Sequence, residues 1–574
     1  MWRASGPACR CAGLRGVRGC VTQAGCNPGT EGGEGVGNRG ASLGPRGGTL
    51  VTRLRTAFQQ VGARRTFAVY LLLTAVVLAP VFAVHVWGLG DTPNHLARIH
   101  ILTQIADTPA LQRLYETSWK PVPYLGMDVV VAVLAQLMPI YVAGRVFVAI
   151  CLLMPVAAAA LLRRVVCGRV GLMPALGFLL SYNYLIARGF LAYVFGAGLA
   201  VMLFAGWLAT EQSPRWRRAA LFAPAVLLLY FCHAFAFLTY GLLVGFYELG
   251  RAAQQHFRPP RKILLDWLTA SAQAVPVIAA VVLFAANATA GFKLVTIYGS
   301  LPNKLAAAAA PLFFPGPPAV VGLFVLLPLV ALVCVRYLRL APALWPTALM
   351  VGVAAAAVPN VLLSSWGADY RLPYVIAIVL IASAVPRRTP SRVVAWAGLA
   401  ILFALVAVRS ANALSLLRQL DAEEAQIRDV VRALPEGARL LVVDAGRPDA
   451  GPFAAPAHMT GHLALVATID RNAFIPYLFT GTTAVQPRPE WRNAASPSSL
   501  PLDLDQFKDG ITRGDPPAGP PPYGYGGQQY WLGWPSKFSF VLLEHYGRHD
   551  IMLPAFLHPL ARSNIADLYR VDRP

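Results

Sequence analysis

Eight residues, Asp91 to Arg98, bring a carboxylate, an amide, an imidazole and a guanidinium together directly after the first long apolar run, in the stretch Gly90-Asp91-Thr92-Pro93-Asn94-His95-Leu96-Ala97-Arg98-Ile99-His100. In a helix starting near Thr92, Asp91, His95 and Arg98 share a face at spacings of four and three, with Asn94 beside them. A carboxylate placed there can take a proton from an attacking hydroxyl. His95 or Asn94 can orient it or hold a metal with it, and Arg98 can grip a phosphate through two parallel hydrogen bonds. The same residues also spell a helix start, with Asp91 as N-cap and Pro93 in the first turn. The two roles are compatible.

The elements that must position this stretch are apolar helices. The chain has 574 residues, 56% hydrophobic and 13% charged, against about a quarter charged in soluble proteins. Apolar runs of about 20 residues recur along it, which predicts a polytopic α-helical membrane protein. The net charge of +22 divides into +8 over residues 1–65, +16 over 66–409 and −2 over 410–574. The middle excess falls in short loops, as topology requires, and no interleaved basic and aromatic surface for nucleic acid is present. Cysteines are scattered, with none after residue 410, so that region needs no disulfides.

Residues 1–50 are rich in Gly and Arg without an apolar period and read as disordered, or as an extension upstream of a start near Val51. Residues 51–65 are a basic cytosolic segment, holding the N-terminus inside. Residues 66–409 are predicted to carry about eleven spans, with surface helices in the first outer loop. One crossing near 143–162 follows a half-inserted helix near 124–140. Further spans are expected near 170–187, 189–209, 263–286, 318–338, 342–363, 372–386 and 393–409, and the stretch 218–250 forms a hairpin breaking at Cys232-His233. Residues 410–574 read as a small extracytoplasmic α/β domain, with strands at 439–444 and 538–543, a third at 565–571, and a long irregular loop at 484–536. It holds no Walker or Rossmann glycine pattern.

Of the eight acidic residues in 66–409, this topology puts Asp91, Asp107, Glu116, Asp128 and Asp369 on the outer side, and Asp91 is the preferred base. Arg188, after Tyr182-Asn183-Tyr184, is a candidate phosphate ligand or a snorkelling arginine. His233 stands at a hairpin tip, where a structural role competes with a functional one. Asp369 and Arg371, in Trp366-Gly367-Ala368-Asp369-Tyr370-Arg371, form an internal ion pair or bind lipid phosphate through Arg371. Lys293, Tyr298 and Lys304 are candidate headgroup anchors. His458 and His462 are four apart, but no third ligand is near them, so no zinc site is expected.

A first span followed at once by the outer-loop Asp of Gly90-Asp91-Thr92-Pro93-Asn94-His95 resembles the GT-C superfamily of integral-membrane glycosyltransferases. The surface helices, the many short-looped spans, the exported C-terminal domain and the run at 182–190 are similar to bacterial members. The resemblance covers roughly 66–409. It implies a bacterial inner-membrane enzyme moving a sugar from a polyprenyl-phosphate donor to a glycan, lipid or protein acceptor of the cell envelope, with inversion, Asp91 serving as general base. Partners would be the lipid-linked donor, that acceptor and membrane lipids, with no nucleic acid. Many members carry a second acid close behind the first. Here Asn94-His95 follows, so a divalent cation (magnesium or manganese) is left open and no cofactor is assigned. The alternatives are a transporter or flippase of a lipid-linked or small polar substrate, and a non-catalytic membrane scaffold.

Overall fold

The computed structural model describes residues 50–118, 122–253, 259–288, 295–316, 336–363, 365–387, 391–446, 460–480, 484–496, 500–513, 529–548 and 550–572. The chain divides into Met1–Gly62 and Ala63–Pro574. Of the first unit only the helical backbone of 50–62 is described, and every site residue belongs to the second.

Helix α1 is Leu50–Phe82. It is followed by the short helix α2, Thr92–Gln104, by α3, Gly126–Ala135, and by α4, Ile140–Cys167. Ten residues give α3 a length of about 15 Å, half of a bilayer core. Inside the fold Arg98 Nη2 meets Asp128 Oδ1 at 2.5 Å, tying α2 to α3, with both side chains at most 4% exposed. Arg98 is therefore committed to Asp128 and is not the phosphate ligand its helical spacing suggested. The change Arg98→Met strands the Asp128 carboxylate. It is expected to destabilise the protein by about 3–5 kcal/mol, read as a fall in melting temperature in detergent.

The stretch expected to cross near 170–187 is not one α-helix. Met173–Leu180 is a 3-10 helix and Tyr184–Ala187 a single turn capped by the Asn183 side chain. It still runs alongside the later part of α1 and beyond: Tyr70 bonds the Gly171 carbonyl, Tyr182 bonds the Val77 carbonyl, and Arg188 lies beside Asp91. A 3-10 helix rises about 2 Å per residue against 1.5 Å for an α-helix, so a short run reaches far. Gly177 allows it to press on α4, since a Cβ there would sit 3.0 Å from the Val156 Cα.

Helices α5 (Leu191–Ala209), α6 (Arg215–Cys232) and α7 (Ala234–Ala253) follow. The hairpin breaks at His233, whose backbone is extended (φ −166°, ψ 119°). Its far ends meet again where Arg215 reaches Glu248 at 3.4 Å. Pro260–Ser271 and Val275–Ala288 make the next apolar pair, and α8 is Leu301–Ala309. The expected span at 318–338 lies almost wholly outside the described residues, as do Lys293 and His458. Trp345–Ala357 is shorter than the expected 342–363, and α9 is Ala368–Ser383. Among the described residues five helices are long and apolar enough to cross a membrane.

Helix α10, Arg392–Val431, has forty residues. It carries the last expected span past residue 409 into the C-terminal region without a break in the helix. Arg409 and Ser410 change the composition there but neither breaks a helix, and Arg409 is bonded to the Leu312 and Tyr182 carbonyls. Beyond it lies a four-stranded sheet of β1 (Leu440–Asp444), β2 (Phe540–Glu544), β3 (Leu557–Arg562) and β4 (Ala566–Val571), in the order β1-β2-β4-β3. β1 pairs parallel with β2, Leu440 opposite Phe540, and the other two pairings are antiparallel. The unanticipated β3 alternates poorly because much of it is exposed.

Candidate active site

Asp91 takes the N-cap position of α2, yet its backbone is helical (φ −74°, ψ −2°) and its side chain makes no capping bond. The carboxylate is turned elsewhere. A close crossing of two loops fixes its backbone. Asp91 N–H donates to the Arg188 carbonyl at 3.1 Å, between Gly90 (φ +56°) and Gly189 (φ +78°). A Cβ on Gly189 would lie 2.3 Å from the Asp91 nitrogen, whereas one on Gly168, also left-handed, would meet nothing within 4 Å. Gly168→Ala is therefore expected to show only the left-handed strain of about 1–2 kcal/mol. Gly189→Ala must also move the Asp91 backbone, so thermal melts of the two variants should separate clearly, with Gly189→Ala the lower.

The Asp91 carboxylate faces His462, Oδ1 to Nε2 at 3.5 Å. Burial pushes its pKa up, but the His462 hydrogen bond and the charges of His462, His95 and Arg188 outweigh that, holding it below the usual aspartate range. His95 sits one helical turn on, its ring edge-on to Phe479 at 5.3 Å. Burial and then the Arg98 charge push the His95 imidazole down to about 3, against the pull of Asp91. His95 is therefore neutral at physiological pH. Asn94 is fully enclosed, donating to the Tyr477 carbonyl at 3.0 Å and accepting from the Phe479 N–H at 2.7 Å. It joins α2 to the 477–479 segment, and its amide is not open to substrate.

Arg188 lies over the Trp366 ring at 4.7 Å and within electrostatic reach of Asp91. His233 contacts the Tyr124 ring at 4.6 Å and lies within reach of both Arg371 and His95. Arg371 is 6% exposed, caged by Phe235 at 4.1 Å, Phe190 at 5.2 Å and Tyr193 at 5.7 Å. Its Nη2 reaches Ser365 at 3.4 Å. Its Nε and Nη1 are buried and make no hydrogen bond among the described residues. Asp369 is not its ion partner. That carboxylate is fully buried, accepting from Asn360 at 3.0 Å and facing Lys304 at 3.4 Å, so it fastens α8 to α9. The expected substrate role of Asp369 and headgroup role of Lys304 are replaced by this pair.

Beside Tyr124 and His233 opens an apolar groove of about 700 Å³ between α3, α5 and α6, lined by Leu125, Val129, Phe195, Met202, Phe231 and Cys232. The structure thus gathers Asp91, His95, Arg188, His233 and Arg371 at one end of the helices, while Arg98 pairs with Asp128, Asn94 with the 477–479 segment and Asp369 with Lys304 and Asn360. His462 was out of reach of sequence spacing, 371 residues from Asp91. Its one local signal is that it is a polar residue embedded in the apolar run 461–469.

A hard divalent cation wants several oxygen ligands. Among the described residues no three His, Cys, Asp or Glu groups converge in that way. The Asn94 oxygen is already taken by Phe479, so Asp91 is the carboxylate that would hold such an ion, with its remaining ligands coming from outside this cluster.

No family model matches the chain, and no curated protein matches it. The similar solved structures include two crystal structures of ArnT from Cupriavidus metallidurans. The one bound to undecaprenyl phosphate has 12% identity and a TM-score of 0.48, over 88% of this chain and 97% of that one. The apo state has 13% identity and a TM-score of 0.45, over 87% and 97%.

Proposed function

We propose that this chain is a membrane glycosyltransferase of the GT-C type, moving a sugar from a polyprenyl-phosphate donor to an acceptor hydroxyl. The observation that carries the reading is the buried Arg371, with two nitrogens unbonded among the described residues. It lies within reach of His233, which follows the groove residue Cys232 and is itself within reach of His95, whose neighbours include Asp91. A donor with a lipid tail, one phosphate and a sugar matches that order of surfaces. The tail lies in the groove, the phosphate meets Arg371 with Arg188 nearby, and the sugar reaches Asp91.

In the proposed reaction the Asp91 carboxylate takes the proton of the acceptor hydroxyl. The oxygen attacks the anomeric carbon, the bond from that carbon to the phosphate oxygen breaks, and the polyprenyl phosphate departs with the electron pair. Arg371 stabilises the charge that develops on the leaving phosphate. One displacement inverts the anomeric configuration. No step runs through a metal. The neutral His95 lines the sugar side, where it can donate or accept a hydrogen bond without adding charge. The site would face the outer side of a bacterial inner membrane, with residues 460–480 forming its acceptor wall.

Purified protein in lipid, given a labelled polyprenyl-phosphate sugar and an envelope extract as acceptor source, tests this. Acceptor-dependent release of polyprenyl phosphate is expected. Movement of the labelled lipid between leaflets without release would replace the reading by a flippase.

A further inference from the structure

We propose that His462 is a positioning residue for Asp91, locked by Asn94 in the one tautomer that presents its Nε2–H to the carboxylate. The inference rests on the reading of Asp91 as the base.

The lock follows from the direction of three hydrogen bonds. The Phe479 backbone N–H can only donate, and it does so to Asn94 Oδ1 at 2.7 Å. That fixes which end of the Asn94 amide is oxygen, a choice that distance alone would leave open. Asn94 Nδ2 then holds two protons. One goes to the Tyr477 carbonyl at 3.0 Å and the other to His462 Nδ1 at 3.2 Å. Nδ1 must offer its lone pair, so the single ring proton sits on Nε2, 3.5 Å from Asp91 Oδ1. The groups around the ring are Asp91, Asn94 and His95 from α2 and its cap, and Tyr477 and Phe479 at 5.8 and 5.4 Å from its own segment.

The arrangement orients the base without neutralising it. A charged imidazolium would bind Asp91 as an ion pair and weaken it as a proton acceptor. The neutral donor holds Oδ1 and leaves Oδ2 to a substrate hydroxyl. Residues 460–480 thus complete the catalytic geometry from a region far along the chain.

The test has two arms. Full-length protein carrying ¹⁵N-histidine is examined by NMR, the His462 signals being those lost in His462→Gln. The neutral Nε2–H form is expected at pH 7, turning into a mixture in Asn94→Leu; an Nδ1–H or doubly protonated ring in the wild type would overturn the lock. In the second arm, turnover of labelled polyprenyl-phosphate sugar is expected to fall about 10²-fold in His462→Ala, the effect of a slightly misplaced reacting group, with KM for donor unchanged. His462→Gln, which restores an N–H at that reach, should recover most of the loss. Equal losses in Ala and Gln would mean packing only and would sink the positioning role. Full turnover in Asp91→Asn, with the expected tautomer present, would sink the base assignment instead, so the two failures are told apart.

Discussion

Asp91→Asn is expected to lower turnover by about 10²–10⁴-fold, the usual range for removing a general base, while leaving the melting temperature unchanged. The substitution preserves shape. Asn can still accept the His462 Nε2–H, so the fold loses no partner. The Asp91 side chain is also 18% exposed, so nothing is newly buried. What disappears is the proton acceptor. The pH profile gives a second handle. The Asp91 pKa lies below its ordinary value, held there against burial by the His462 hydrogen bond, so its carboxylate form persists to lower pH than that of a free aspartate. His95 titrates near 3. The wild-type rate should therefore show no acid limb between pH 5 and 7. A limb with a midpoint near 6 would place a different group, a titrating histidine, in the rate-limiting step.

Arg371→Met should have the opposite relation between stability and activity from Arg98→Met. Both arginines are buried, but Arg98 has a carboxylate partner, whereas Arg371 holds two nitrogens with no hydrogen bond among the described residues. Replacing a buried charge by an apolar side chain of similar volume is often neutral or stabilising when no partner is stranded. The Arg371→Met protein should melt at or above the wild-type temperature. Its kcat/KM for the lipid donor should fall on the order of 10²-fold, corresponding to about 3 kcal/mol for a lost buried charge contact. Arg371→Lys should recover part of this at most, because an ammonium lacks the planar fork and stacks less well on Phe235. A variant that melts lower and turns over normally would mean that Arg371 serves the fold. An arginine kept at a cost to stability is what a site residue looks like.

What could be read from the chain beforehand was mostly local. Asp91 at the head of a helix, the break at Cys232-His233 and three of the four strands of the sheet follow from spacing, apolar runs and turn residues. One long apolar helix over 143–162, rather than two through 123–162, followed from counting arginines. What could not be read was partnership across the chain. The spacing of Arg98 suits a phosphate as well as it suits Asp128, and only the packing of α2 on α3 decides. Asp369 stands two residues from Arg371 in sequence, but on a helix those two point to different sides, and Lys304 takes the carboxylate. His462 acquires a role only when residues 460–480 fold back onto α2. The 3-10 run at 173–180 was hidden because an apolar stretch of that length reads as a helix of either kind.

Helix α10 is a rod of about 60 Å at 1.5 Å per residue. It is gripped off-centre, because Asp421 accepts the backbone N–H groups of His85 and Val86 at 2.9 Å each, just ahead of Gly90. The same rod is tied at Arg409 to the Leu312 carbonyl and at Asn412 to the Pro315 carbonyl, so its grips run from residue 409 to residue 421. The stretch Arg392–Val408, about 25 Å long and mostly exposed, is what extends beyond them, and the backbone just ahead of Gly90 is held by the far end of that gripped segment.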